Sequence, residues 1–247
     1  MIKVTERGEV ENALYRYHSE LASVILREVG DFSGRNIVEI GSGSGTFTLP
    51  LLEKLGANFD KFHCVDSYPG PYEHDKKILE SKMIGKDKIM IHDVDAKEVD
   101  KILKDVDLVI GHEILCDLNL EQIRKVMCSC FNILRNGGLF IHSEFSPFAL
   151  NESEKMLQII NEFSDEPISD TKWFSPTADE LAGLSADAGF ESIKVEYRKI
   201  PIKFLGEAAI EMVNRWKTKR EFFDKYQEEL EKVGIEYPME QILYCRK

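Results

Sequence analysis

Residues 37 to 46 read Ile37-Val38-Glu39-Ile40-Gly41-Ser42-Gly43-Ser44-Gly45-Thr46. A short apolar run carries an acid, then breaks into glycine at every second position. Such a run reads as a buried strand that turns tightly into a helix. Without a Cβ at Gly41, Gly43 and Gly45 the backbone can take positive φ and a ligand can lie against it, while the amides of the following helix point at that ligand. Asp66 closes the next apolar run about twenty residues later, where its carboxylate could accept hydrogen bonds from a ribose. The chemistry implied is the binding of a nucleoside-type small molecule.

Three readings of the glycine loop compete. A phosphate-binding P-loop needs G-x-x-x-x-G-K-[ST], and no lysine follows these glycines. A dinucleotide loop needs G-x-G-x-x-G or alanine, but Thr46 holds that last position when the count starts at Gly41. What stands here is E-x-G-x-G-x-G, and a nearby carboxylate suits a cationic ligand better than a pyrophosphate.

Further along, four more segments fall in order: Asp66 ending the second apolar run, Asp95-Ala96 after the third, Asp107-Leu108-Val109-Ile110-Gly111-His112-Glu113-Ile114-Leu115, and Leu134-Arg135-Asn136-Gly137-Gly138-Leu139. Together with the glycine loop they resemble the motifs of the class I S-adenosylmethionine-dependent methyltransferases, from about Gly34 to Gly189. The resemblance implies S-adenosylmethionine as cofactor, with Gly41, Ser42, Gly43 and Gly45 forming its cradle. It implies Asp66, with Ser67 beside it, at the ribose, and Asp95 and Ala96 at the adenine, Asp93 being an alternative for that role. His112 would line the methionine end, and Glu39 would support the loop and the cofactor's amino group. For Glu39 the competing reading is an acceptor for loop amides. The activity implied is transfer of a methyl group to a small molecule by in-line displacement at carbon, which requires alignment and exclusion of water more than a dedicated base.

The acceptor side is less legible. A histidine pair common after the fourth strand in small-molecule members is missing, and Leu115-Cys116-Asp117-Leu118 stands there instead. Glu113 could face the acceptor and Asp117 could take its proton. Asp117 also reads as the N-cap of a helix starting near Leu118. Tyr17 and His18 on a first helix, and Trp216 with Phe222 and Phe223 in a late helical segment, are candidates for binding the acceptor; the competing readings are core packing for Tyr17, an exposed surface position for His18 and a dimer contact for the late segment. An Asn-Pro-Pro-Tyr motif is absent, as is a Pro-Cys pair. A protein acceptor, a noncatalytic sensor of the cofactor or its product, and a nicotinamide-dependent oxidoreductase remain as rivals.

The elements that must hold these residues follow from periodicity. Val10, Leu14, Tyr17, Leu21 and Val24 recur at helical spacing, so an amphipathic helix of about twenty residues precedes the loop. Strands are expected at about 36–40, 61–65, 88–92, 107–111 and 138–142, with helices in every gap and a turn at Asn136-Gly137-Gly138. Leu118 to Leu134 is helical in pattern, and Thr177-Ala178-Asp179-Glu180 is a capping box for a helix ending near Gly189. Two more strands are expected, at Ile193 to Tyr197 and Gln241 to Cys245, with helices from Gly206 to Val233 between them. The fold expected is a doubly wound, Rossmann-like α/β domain with helices on both faces of a mainly parallel seven-stranded sheet. Its last strand would run antiparallel, as the resemblance implies. One domain spans 1–247: an N-terminal helical cap over 1–33, the core over 34–200, a helical insertion over 201–236 and a final strand over 237–247.

Composition narrows the partners. The chain has 247 residues, 43% hydrophobic and 31% charged, with a net charge of −12. That charge repels polyanions, so nucleic acid is a poor partner and a metabolite is the leading acceptor class. No apolar run approaches the roughly 18 residues that span a bilayer, and the first residues lack a signal core. The expectation is a cytoplasmic monomer or homodimer without a membrane partner. Cys64, Cys116, Cys128, Cys130 and Cys245 match neither a zinc nor a disulfide spacing and are expected to be reduced and mostly packing. Cys128 and Cys130 point different ways on a helix, and His63, His92 and His142 lack a matching acidic cluster, so no metal is expected.

Overall fold

A computed structural model describes residues 8–67, 73–83, 87–163, 175–216 and 218–247. Residues 1–7, whose sequence argued against a signal core, lie outside these. The chain runs α1 (Glu9–Val29), β1 (Asn36–Ile40), α2 (Thr48–Leu55), β2 (Lys61–Asp66), α3 (Glu73–Met83), β3 (Ile89–Asp93), β4 (Val106–His112), α4 (Leu120–Ile133), β5 (Leu134–Phe145), α5 (Glu152–Glu162), α6 (Ala178–Asp187), β6 (Glu191–Arg198), β7 (Lys203–Phe204), α7 (Gly206–Arg215), α8 (Arg220–Val233), β8 (Ile235–Glu236) and β9 (Glu240–Arg246).

Seven strands form one sheet in the order β3-β2-β1-β4-β5-β9-β6. β1 to β5 pair in parallel, while β9 runs antiparallel to both β5 and β6. The order reverses between β1 and β4, and that switch opens a crevice beyond their carboxyl ends.

Both faces of the central strands are buried, and their residues divide between the faces with period two. Leu108, Ile110, Leu139, Ile141, Ile242 and Tyr244 pack with α1, α2, α5, α7 and α8, whereas Val109, Phe140, Leu243 and Cys245 pack with α4 and α6. Burial on both sides is why these strands read as continuous apolar runs in the sequence.

Several expectations are corrected. The link between β3 and β4 is a 3₁₀ turn over Ala96–Lys101, because Asp95 caps it by accepting from Lys97 N at 2.9 Å. The helix expected from Leu118 begins at Leu120. Its cap is Asn119, which closes a reciprocal pair of hydrogen bonds with Gln122, so Asp117 is not the N-cap. The expected turn at Asn136-Gly137-Gly138 is instead the first part of β5, with a register shift opposite Val106 to Leu108. That bulge is held by the C-terminal residue, since Gly137 N donates to Lys247 O and Lys247 N to Gly138 O. Helix α5 and the small β7–β8 pair went unanticipated. The capping box at Thr177 and Glu180 forms as expected. Cys128 is exposed while Cys130 is buried, and all five cysteines are free.

Candidate active site

The glycine loop leaves β1 at the switch point and is tied to the end of β2. Gly41 N donates to Val65 O at 2.8 Å, and Gly43 N to Asp66 Oδ2 at 2.7 Å. Gly45 has φ +82°, and a Cβ there would lie 2.7 Å from Leu79 Cδ1 of α3. Lys82 of α3 also holds Ser44 O at 2.7 Å. Helix α3 therefore packs onto bare backbone and presses the loop against β2. Ser42 is buried in the same turn, and Ser67 follows Asp66.

The carboxyls beneath this loop are strongly perturbed. Glu39 is 1% exposed; burial and the nearby Asp66 charge raise it to about 8. Its Oε2 has no hydrogen-bond partner. Asp66 is raised to about 6, mainly by burial, against the amides of Gly43 and Ser67. A buried carboxyl oxygen without a partner is costly, and a cationic ligand head would satisfy it. Glu39 therefore fits a cationic head such as the amino group of S-adenosylmethionine, whereas the space expected for a ligand at Gly41 and Gly45 is taken by Ile114 and Leu79, which leaves open backbone at Gly43. Asp95 caps the 3₁₀ turn and pairs with Lys97 at 3.0 Å, next to buried Ala96. Asp93, the alternative, pairs with Lys76 at 3.1 Å.

Glu39 carries a stability prediction. Its folded pKa is raised above the unfolded one, so its contribution is fully present below about pH 4.5 and is lost as pH rises through about 8. Glu39→Gln removes that loss. Thermal melting should find the variant level with wild type at pH 4 and clearly more stable at pH 8.5. Each tenfold displacement of the proton equilibrium is worth about 1.4 kcal/mol, so even one such step should open a gap of about 3–6 °C.

Across the crevice β4 ends at His112, and Glu113 follows with φ +50°, a left-handed conformation uncommon for this residue type. Glu113 N donates to Ser143 O at 3.0 Å, which fixes the turn. Leu115–Asp117 form a 3₁₀ turn whose Leu115 and Cys116 amides both donate to Glu144 Oε2, at 3.2 and 3.1 Å. Burial and the Glu144 charge raise Asp117 to about 7, and burial with Glu240 and Glu144 holds Glu113 well above the usual carboxylate range.

Helix α1 lies over this end. The Tyr17 hydroxyl donates to Glu240 Oε1. His18 and His112 rings are 5.3 Å apart, and Phe47 lies 4.9 Å from His112. Burial lowers His18 to about 4 and drives His112 well below its ordinary value, so both rings are neutral at pH 7. Tyr237 packs edge-on to Tyr17 at 5.1 Å and lies 6.4 Å from Trp216. The three residues singled out for the acceptor, Tyr17, His18 and Trp216, thus meet around one aromatic group that also includes Tyr237. Phe222 is buried in the core with Phe163 and Tyr226 and is away from it.

Sequence reasoning missed Glu144, Tyr237 and Glu240. Glu144 and Glu240 are 0% exposed. A carboxylate inside an apolar strand was the available signal in both cases.

A family model described as a methyltransferase domain matches residues 37–138. No curated protein matches the sequence. Among solved structures, the YcgJ protein from Bacillus subtilis superposes with a TM-score of 0.69 at 12% identity, over 94% of this chain and 99% of that one. A cyclopropane-fatty-acyl-phospholipid synthase-like protein from Lactobacillus casei gives 0.64 at 15%, over 96% and 92%. The magnesium protoporphyrin IX methyltransferase from Synechocystis, solved with S-adenosylhomocysteine, gives 0.57 at 14%, over 98% and 89%. The match to a methyltransferase domain covers residues 37–138, and the strand order agrees with the fold of these solved structures. A methyltransferase domain implies S-adenosylmethionine as cofactor, and no particular acceptor comes with the match.

Proposed function

We propose that this chain transfers a methyl group from S-adenosylmethionine to a small-molecule acceptor. The observation that carries the reading is the glycine loop bonded to Asp66 at the switch point of the sheet. When bound, the cofactor supplies a sulfonium-activated methyl group for in-line displacement. The chain's own residues bind and orient. Gly41, Ser42, Gly43 and Gly45 offer backbone, Asp66 and Ser67 hold the ribose, Asp95 and Ala96 border the adenine, Glu39 meets the amino group and His112 lines the methionine end. Tyr17, His18, Tyr237 and Trp216 exclude water from the acceptor side. Glu113 or Asp117 takes the proton that the acceptor loses.

The buried, aromatic acceptor side supports a small molecule over a protein, and the net charge of −12 speaks against nucleic acid. No helix among the described residues is long and apolar enough to cross a membrane. Five free cysteines suit a reducing compartment, and we place the reaction in the cytoplasm, by a monomer or homodimer.

Calorimetry with S-adenosylmethionine, followed by assay of S-adenosylhomocysteine formation over a metabolite panel, tests the proposal. Heat without turnover would make the chain a sensor. Stabilisation by NAD but not by S-adenosylmethionine would make it an oxidoreductase. With an acceptor in hand, kcat/KM should rise with pH through about 7 if Asp117 is the base, since only its ionised form accepts a proton. Asp117→Asn should then lower kcat by about 100-fold and erase that inflection. An unchanged profile shifts the role to Glu113, tested by Glu113→Gln.

A further inference from the structure

His112 at the end of β4, Glu113 beside it and Glu240 at the start of β9 bring one imidazole nitrogen and two carboxylate oxygens within 4.8 Å of one another. His112 is 9% exposed and Glu240 0%. Each of the three has an atom without a hydrogen-bond partner: His112 Nε2, Glu113 Oε1 and Glu240 Oε2. Their other atoms are braced. His112 Nδ1 lies 2.9 Å from Ser143 Oγ, which turns Nε2 toward the carboxylates. Glu240 Oε1 takes the Tyr17 hydroxyl, which leaves Oε2 as its open oxygen. The left-handed backbone at Glu113 aims the third donor. A ligating histidine is typically held through its other ring nitrogen in just this manner.

Buried polar atoms ordinarily have partners, and carboxylates gathered out of water repel one another. Among the described residues, the only ion-pair distance to Glu113 is the 4.0 Å to His112 Nε2, and no Lys or Arg pairs with Glu240. One cation would satisfy all three open atoms. The donor set of one imidazole and two carboxylates is mixed nitrogen and oxygen. It is softer than magnesium or calcium sites prefer, and it lacks the thiolate that copper(I) would seek. We propose that His112 Nε2, Glu113 and Glu240 bind a divalent first-row transition cation of the Mn²⁺, Fe²⁺ or Zn²⁺ kind.

Ligands about 2.1 Å from such an ion sit roughly 3.0–3.4 Å from each other, so the glutamate side chains close in by about an ångström. Three protein ligands leave coordination positions open. Because the group flanks the acceptor side, an oxygen of the acceptor can occupy one of them and lose its proton more readily. This role rests on the methyl-transfer reading, whereas binding of the ion does not.

The test uses the full chain, stripped of metal and titrated with Mn²⁺, Zn²⁺ and Mg²⁺ separately by calorimetry. One Mn²⁺ or Zn²⁺ per chain is expected, with Mg²⁺ at least about tenfold weaker. Glu240→Gln and His112→Gln should each weaken binding by about 100-fold or more. His63→Ala is the control, since His63 and His92 form a separate imidazole pair at 2.9 Å and should leave binding unchanged. Pulsed electron resonance of Mn²⁺ on wild type should detect one imidazole nitrogen, a readout that does not depend on any variant folding. No stoichiometric binding, binding of Mg²⁺ alone, loss in His63→Ala, or full binding in both site variants would each overturn the proposal. Calorimetry with S-adenosylmethionine on the same preparations reads the methyl-transfer reading separately.

Discussion

Asp66→Ala should weaken S-adenosylmethionine binding by about 100- to 10,000-fold. A hydrogen bond to a charged group is worth about 1.5–3 kcal/mol, and the proposed role gives Asp66 two of them, to the ribose hydroxyls. Together that is about 3–6 kcal/mol, or two to four decades in Kd. The variant also removes the acceptor that holds Gly43 N at 2.7 Å, so the loop loses its tie to β2. The fold itself should not suffer. Burial raises Asp66 to about 6, so its ionised form is a burden above that pH and the contribution of its protonated form is already lost. Melting at pH 7.5 should therefore find Asp66→Ala at least as stable as wild type, while calorimetry finds the cofactor affinity gone. A Kd within about threefold of wild type would remove Asp66 from the cofactor site.

Gly234→Ala should destabilise the chain by about 2–5 kcal/mol. Gly234 ends α8 with φ +71°, and a Cβ there would sit 2.3 Å from Phe204 O and 2.6 Å from Leu205 Cδ2. The left-handed conformation costs an alanine about 1–2 kcal/mol, and overpacking adds about 1–3 kcal/mol. The clash is with backbone, which cannot rotate away. Relief must come from parting β7 from β8, whose pairing of Phe204 with Ile235 closes the base of the helical insertion. Tyr237 packs on Phe204 at 5.9 Å and lies 6.4 Å from Trp216, so under the proposed role of these rings acceptor binding should weaken together with stability. Urea unfolding measures the loss. Gly183→Ala makes the contrast, because Gly183 lies within α6 with open space around it and should gain up to about 1 kcal/mol. Equal effects of the two substitutions would show that the Gly234 contact is not what closes the insertion.

Most of the fold was legible in the residues because local signals and burial agree. β1 was placed to the residue, and β2, β3, β4 and β9 to within a residue at each end, since β1, β2, β4 and β9 are buried along nearly their whole length and so read as apolar runs. The capping box at Thr177 was legible because both partners lie three residues apart on one turn. Where two local solutions competed, sequence alone chose wrongly. Asp117 and Asn119 both suit a helix start, and only the Gln122 side chain meeting the Asn119 amide decides between them. Asn136-Gly137-Gly138 would turn by itself, but Lys247 at the far end of the chain pairs with it and draws it into β5.

By itself the sequence determined the alternation of strands and helices, the glycine loop and the acid that ends β2, because each depends on spacing over a few residues. Only the tertiary structure decided which side chains share the proposed acceptor side. Tyr17, Glu113, Glu144 and Glu240 come from four elements spread over more than two hundred residues, and no periodicity records that they meet. Their burial, and with it the raised proton affinity of Tyr17, Glu113 and Glu240, arises only when α1 and β9 close on the ends of β4 and β5.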